Sequence, residues 1–252
     1  MWLTAVYHQV SLFSLKPSDA TSTGGRSLLL PTPFSIKMAL LDVALRLYGE
    51  RGVHDAHLFP LIRDLGIAIS LPPQIVVNNC FVRIHKPRRP KSGKGEKEGD
   101  GDEQSGSGND GPFIHSVAFR EYVQYNGPLG IALEMEDQRD TDTLALLLMQ
   151  ITYFGKRGSL FQIDSLPRVV EKLPIRQGYN QINKQPVDGE HNPRSILQML
   201  DDCDSKLTFA KASIYSAEQL SPRKDRVFIS VRLPYQPTRS SRSFTLYERI
   251  KP

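Results

Sequence analysis

The chain has 252 residues, a net charge of +5 and 39% hydrophobic residues, enough to bury a full core in one elaborated domain or two small ones. Its two cysteines, Cys80 and Cys203, exclude a disulfide framework and a CxxC metal knuckle, and point to a reducing, cytoplasmic compartment. The longest apolar runs, such as 144–149, are far shorter than the roughly 20 residues that span a bilayer, and the N-terminus lacks a secretory pattern, so no membrane association is expected.

Residues 1–15 alternate loosely, with Val6, Val10 and Leu12 among Thr4, His8 and Ser11, and predict an opening strand. A polar Ser/Thr/Gly loop follows at 18–27. Pro31-Thr32-Pro33 then leads into the strongest helix of the sequence, 34–49. Ile36, Leu40, Val43 and Leu47 recur there at helical spacing, Thr32 is placed to cap the start, and Gly49 to stop it. A shorter helix is expected around 55–65, a short strand at 67–71 ahead of Pro72-Pro73, and another strand at 75–85, where Cys80, Val82 and Ile84 alternate in a β-branched run.

Residues 86–112 differ in kind: six basic and six acidic side chains, much Gly and Ser, and no large apolar residue. Such a segment cannot repay its ordering entropy and reads as a disordered insertion. Its flanks, 75–85 and 113–125, look like strand or loop of one sheet, so it interrupts a domain at a hairpin. Beyond it the pattern predicts a strand at 129–135, a helix at 140–150 capped by Thr141 or Thr143, and a short extended piece at 161–163. An irregular stretch covers 174–192, one or two helical turns 195–200, and strands 207–215 and 226–233. This order implies an α+β fold with a ferredoxin-like (RRM-like) antiparallel sheet and helices on one face. Residues 1–165 form that domain, interrupted at 86–112, and 166–252 form a smaller, irregular and β-rich C-terminal extension.

The positive charge is concentrated at the end. Residues 223–252 carry eight basic against two acidic side chains, interleaved with Phe228, Tyr235, Phe244 and Tyr247. That composition suits a polyanion, since Arg neutralises phosphates while aromatic faces stack on bases, and it equally suits a half-exposed strand. No Walker loop, GxGxxG, HExxH or GxSxG motif occurs, and no cofactor is implied. His54 and His57 could ligate a metal from one helical face, although a solvated helix start explains them equally well, so no metal is assigned. His115, close to Arg120 and Tyr122, could serve in general acid–base cleavage of RNA.

Two short motifs carry more. Phe119-Arg120-Glu121-Tyr122-Val123-Gln124-Tyr125 is a polar aromatic run feeding a buried strand. In Tyr153-Phe154-Gly155-Lys156-Arg157-Gly158-Ser159, the glycines allow close backbone approach, Lys156 and Arg157 supply phosphate donors, and Ser159 adds a hydroxyl.

Taken in order, the opening strand, the glycine loop at Gly24-Gly25-Arg26, the Pro31-Thr32-Pro33-Phe34 helix entry, the Arg120-Glu121-Tyr122 run and the Gly155 to Ser159 turn resemble the Cas-five family of CRISPR-associated RAMP proteins. The similarity covers scattered positions from about residue 1 to 165. It implies a ferredoxin-like domain that caps the 5′ handle of CRISPR RNA within a Cascade effector complex, with the backbone and large subunits as protein partners and target DNA met indirectly. By the same resemblance the 86–112 segment falls where such proteins carry a thumb-like hairpin, but its low-complexity composition departs from a stable one. The implied RNA site comprises Gly24, Gly25, Gly155 and Gly158 for close backbone approach, with Arg26, Lys156 and Arg157 on phosphates. Tyr125 or Tyr153 would stack a base, and Arg120, Tyr122 and Ser159 would complete the site. Some members cleave precursor RNA with a Tyr, Lys and His set, for which Tyr48, Lys86 and His85 are the candidates. Two alternatives to RNA binding stay open: a metal-independent endoribonuclease, and an interaction protein without RNA contact.

Overall fold

The computed structural model describes residues 1–18, 25–87, 112–175, 178–183 and 195–250. Its main sheet grows from β1 (Trp2–Gln9), which pairs on one side with β5 (Leu129–Glu134). On its other side β1 pairs successively with β6 (Phe161–Ile163) and β7 (Arg168–Val170). Beyond β5 lie β2 (Gly66–Ser70) and β8 (Tyr179–Gln181), giving the order β6-β1-β5-β2-β8 with every pairing antiparallel. Strand periodicity sends Leu3, Ala5, Tyr7, Ile67, Ile69, Ile131 and Leu133 into the principal core. Trp2, Ala68 and Ala132 face the other way, under Tyr179.

The helical layer follows from the sequence pattern. In α1 (Pro33–Asp55), Thr32 caps the first turn by accepting from the Ser35 amide, and Ile36, Leu40 and Val43 are buried. Each buried aliphatic side chain of this kind contributes about 1.5–3 kcal/mol. Leu47, the expected fourth member of that stripe, is exposed instead. Gly49 ends the first helical stretch, as expected. It takes φ 68°, ψ 174° as a kink, and helical backbone resumes to Asp55 before α2 (Leu58–Asp64). The other long element, α3 (Thr141–Met149), packs against α1 and β1, and the buried Tyr7 hydroxyl donates to the Leu148 carbonyl at 2.9 Å. Thr141 lies inside α3 and neither it nor Thr143 caps it, because a 3-10 turn at Gln138–Asp140 leads straight into the helix.

A second antiparallel sheet, of order β11-β12-β3-β4, is built from a long hairpin and the chain's end. In it β3 (Gln74–Pro87) and β4 (Phe113–Asn126) pair along their full length. The strands β11 (Tyr235–Ser240) and β12 (Phe244–Arg249) extend it, β12 pairing with β3 at 74–78. The Pro72-Pro73 junction between the sheets is clamped by this end: the Tyr235 hydroxyl donates to the Pro72 carbonyl, and Arg249 donates from its backbone to Pro73 and from its side chain to Leu71.

A third pair, β9 (Ile196–Cys203) with β10 (Arg226–Leu233), lies against α1. It is fastened by a buried ion pair in which Lys37 Nζ stands 2.8 Å from Asp202 and also donates to the Arg63 carbonyl. Asn183 donates to the same carboxylate, and its side-chain oxygen accepts from the Ile67 amide, so one cluster joins α1, β9 and β2. Removing one partner of such a pair typically costs about 3–5 kcal/mol, because the other charge is left buried and alone.

Several expectations are corrected. Residues 195–200 are strand, not helix, because each of 196–203 finds a partner on β10. Residues 207–215 form no strand: Thr208 caps the short helix α4 (Phe209–Ala212), and the chain then turns toward α5 (Pro222–Asp225). The strands β7, β11 and β12 lie outside those expected from the sequence, and β8 falls within 174–192, which reads as irregular. At the insertion, Lys86 and Pro87 belong to β3 and pair with Ile114 and Phe113, so the strands run two residues further than read. The expected disorder at 88–111 lies outside the described residues. Among the described residues no helix is long and apolar enough to cross a membrane.

Candidate functional site

The two sequence motifs meet through the segment 10–15. On one side its Val10 and Ser11 amides donate to the Leu160 carbonyl, and the Ser14 amide donates to Ser159 Oγ at 3.1 Å. On the other, Phe13 and Val123 exchange backbone hydrogen bonds, and the Ser14 hydroxyl donates to the Glu121 carbonyl. The returning chain seals this edge of β4: the Glu121 amide donates to the Gly25 carbonyl, and its carboxylate accepts from the Ser27 amide, both at 2.8 Å. Gly25 is required here, since a Cβ would stand 2.1 Å from the Phe119 carbonyl oxygen. The Gly25 to Ser27 strip, the Tyr153 to Leu160 turn and β4 therefore form one continuous construction.

A cleft of about 270 Å³ opens where these parts meet the start of α1. Lys16, Ser18, Thr32, Tyr153, Gly155 and Arg226 contribute to its lining. Arg226 comes from the basic tail: its guanidinium stacks on the Phe34 ring at 3.7 Å, and Nη1 donates to Asp201 at 2.7 Å. Its Nε is buried and has no hydrogen-bond partner. Arg226 is thus held flat by an aromatic face and one carboxylate, with a donor left over, at a cleft rimmed by hydroxyls.

The expected site residues divide. Tyr153 and Gly155 line the cleft; Lys156, Arg157 and Gly158 are exposed on the turn that follows. Arg26 is exposed beside Tyr247, whose phenol is pushed up by burial and by Glu121 while Arg26 opposes the rise. Arg120 and Tyr122 are half-buried on β4, where Arg120 donates to the Phe119 carbonyl. Gly24 lies outside the described residues.

Two expectations fail on burial. Tyr125 is 8% exposed, with its hydroxyl donating to the Leu29 carbonyl at 2.7 Å and its ring against Phe13 and Phe161, so it cannot stack a base. Ser159 is 1% exposed and its Oγ accepts from Ser14, so it serves the turn and offers no surface hydroxyl.

The catalytic candidates are not brought together. His115 and Tyr122 sit at odd and even positions of β4 and project from opposite faces, and Tyr48 and His85 sit on α1 and β3. His54 and His57 do not share a helical face, because His57 takes a left-handed conformation at the α2 entry. Among the described residues no group of three or more His, Cys, Asp or Glu could hold a metal. Three features escaped the sequence reading: the Arg226 stack on Phe34, the participation of Lys16, and the length of the β3–β4 arm. Past Asn79, whose amide donates to the Ser243 carbonyl, this arm is two-stranded among the described residues and presents Phe81, Arg83 and His85 beside Phe119, Val117 and His115.

No protein-family model matches the chain. It is 23% identical over 219 residues to the CRISPR-associated protein Cas5 of Archaeoglobus fulgidus (strain ATCC 49558), covering 86% of each chain. Among solved structures it is similar to a chain of a CRISPR RNA-guided surveillance complex, with a TM-score of 0.45 and 14% identity over 99% of this chain and 91% of that one. A CRISPR protein from Archaeoglobus fulgidus gives a TM-score of 0.39 and 11% identity over 99% and 92%. The match to this Cas5 protein runs well past the residues that first carried the resemblance.

Proposed function

We propose that this chain is a non-catalytic RNA-binding subunit of a CRISPR Cascade-type effector complex, and that it caps the 5′ handle of the CRISPR RNA. The observation that carries the reading is the exposed Lys156-Arg157 turn next to a cleft holding the Phe34-stacked Arg226, in a chain matching Cas5 over 86% of its length. A single strand needs cations for phosphates and flat faces for unpaired bases. Arg26, Lys156 and Arg157 supply the first, Tyr153 and the Arg226 plane the second, and Gly155 and Gly158 keep the backbone bare between them. The partners on this reading are CRISPR RNA, the backbone and large subunits, and target DNA through the assembled complex.

The fold reading belongs to the same proposal. The strands β1, β2, β5 and β6 stand in the order β6-β1-β5-β2, with α1 between β1 and β2 and α3 between β5 and β6, which supports a ferredoxin-like RAMP domain over 1–165. Residues 166–252 are then a β-rich extension that adds strands to both sheets and brings Arg226 to the cleft.

Replacing both Lys156 and Arg157 by Ala removes up to two phosphate contacts. The slope of log affinity against log salt for handle RNA should therefore shrink by about 1.4. The fold should persist, since exposed turn charges contribute within about 0.5 kcal/mol. A folded double variant with unchanged affinity and slope overturns the assignment of this turn. Cleavage of repeat RNA by the pure protein in EDTA would favour the endoribonuclease instead.

A further inference from the structure

We propose that His85 and His115 form a transition-metal site that staples the β3–β4 arm, taking a borderline divalent ion of the zinc class through two imidazoles. The two residues are directly opposite in the antiparallel register, so their side chains leave the same face. Their rings are already in contact, with centroids 4.4 Å apart and planes at 87°, and both residues are exposed. Zn–N bonds of about 2.0–2.1 Å in tetrahedral geometry hold two imidazole nitrogens about 3.3 Å apart. Directly opposite residues of an antiparallel pair hold their Cβ atoms about 4.5–5.5 Å apart, within reach of two imidazoles sharing one ion. With two protein ligands, water would complete the coordination; among the described residues no group of three or more His, Cys, Asp or Glu could hold the ion.

The position gives the site its consequence. From Cys80 to Pro87 the strand β3 pairs, among the described residues, with β4 alone, and an isolated two-stranded ribbon is marginal in water. The cross-strand ring contacts on this face are Phe81 with Phe119 near the root and His85 with His115 toward the tip, where Phe113 also approaches His85. An ion on the histidine pair joins the strands close to their last paired residues, Pro87 and Phe113, where fraying begins. Imidazole nitrogen favours Zn²⁺, Ni²⁺ and Cu²⁺ over Mg²⁺ or Ca²⁺, so arm order should respond to the first group alone.

The test uses the full-length, chelator-treated chain with zinc chloride as the probe. Zinc stoichiometry is measured with a competing indicator, and amide exchange is followed on 79–87 and 113–119. At zinc ten times its dissociation constant, exchange on the arm should slow about tenfold, with no change in β1 or β5, and magnesium chloride should have no effect. His85→Ala and His115→Gln should each remove one zinc equivalent and the protection, whereas His8→Ala, which removes a histidine paired with Asp164, should leave both intact. Both arm residues are exposed, so these variants are expected to fold. Unchanged stoichiometry in either arm variant, or zinc binding without added arm protection, overturns the proposal and leaves the pair as aromatic packing only.

Discussion

The two glycines of the Gly155 to Ser159 turn look equivalent in the sequence and are not equivalent in the fold. Gly155 takes φ +71°, and a Cβ there would stand 2.8 Å from Leu15 Cδ1. Gly158 has ordinary φ and open space around its missing side chain. Left-handed backbone costs a non-glycine residue about 1–2 kcal/mol before any contact with Leu15 is counted. Gly155→Ala should therefore lose about that much stability in denaturant titration, while Gly158→Ala should stay within about 0.5 kcal/mol of the parent. An equal loss at both positions would show that the turn is held by something other than the Gly155 backbone. Both glycines are exposed and leave bare backbone for a phosphate to approach, but only at Gly158 does the fold itself leave room for a side chain.

At the scale of elements, what could be read in advance was whatever is decided locally. The Thr32 cap, the Ile36-Leu40-Val43 stripe and the alternation of 75–85 depend on residues within a turn or two, and all three appear in the fold. The misreadings have distant causes. Ile196 to Leu200 carries helix-compatible residues but is strand because β10 lies beside it, and Tyr125 stands in a polar run yet is buried by Phe13, Phe161 and the Leu29 carbonyl. Arg226 showed only as part of a basic tail, since its stack on Phe34 joins opposite ends of the chain. The long hairpin gives this lesson a test. Its paired register closes at Pro87 and Phe113, and 88–111 offers no large apolar side chain to a core. Replacing 91–108 by a short Gly/Ser linker should change stability by no more than about 1 kcal/mol, given how slowly closure entropy depends on loop length. A large fall in melting temperature would mean that the insertion takes part in packing.

Across the whole molecule, the buried hydroxyls that tie the layers together, with the buried Cys203 thiol, should set its alkaline limit. Tyr7 ties β1 to α3, Tyr125 ties β4 to Leu29, and Tyr235 ties the C-terminal strands to the Pro72 junction. Burial raises all three phenols well above their ordinary value near 10, and it pushes the Cys203 thiol up to about 12. Each of these groups stays protonated in the fold at a pH where the unfolded chain has released the proton. Their contribution is therefore complete below about pH 8 and is lost as pH rises, first for the thiol and then for the phenols, toward the raised native values. Above its unfolded pKa each such group withdraws up to about 1.4 kcal/mol per pH unit. The melting temperature should consequently hold from pH 7 to about 8, begin to fall toward pH 9 and drop steeply from 9 to 11. Tyr235→Phe keeps the buried ring but removes one titrating hydroxyl, so that variant should start less stable, having lost its bond to Pro72, and decline less steeply with pH. Parallel curves for the parent and Tyr235→Phe would place the alkaline sensitivity outside this junction, and a flat parent curve to pH 11 would remove the buried phenols and Cys203 as its source.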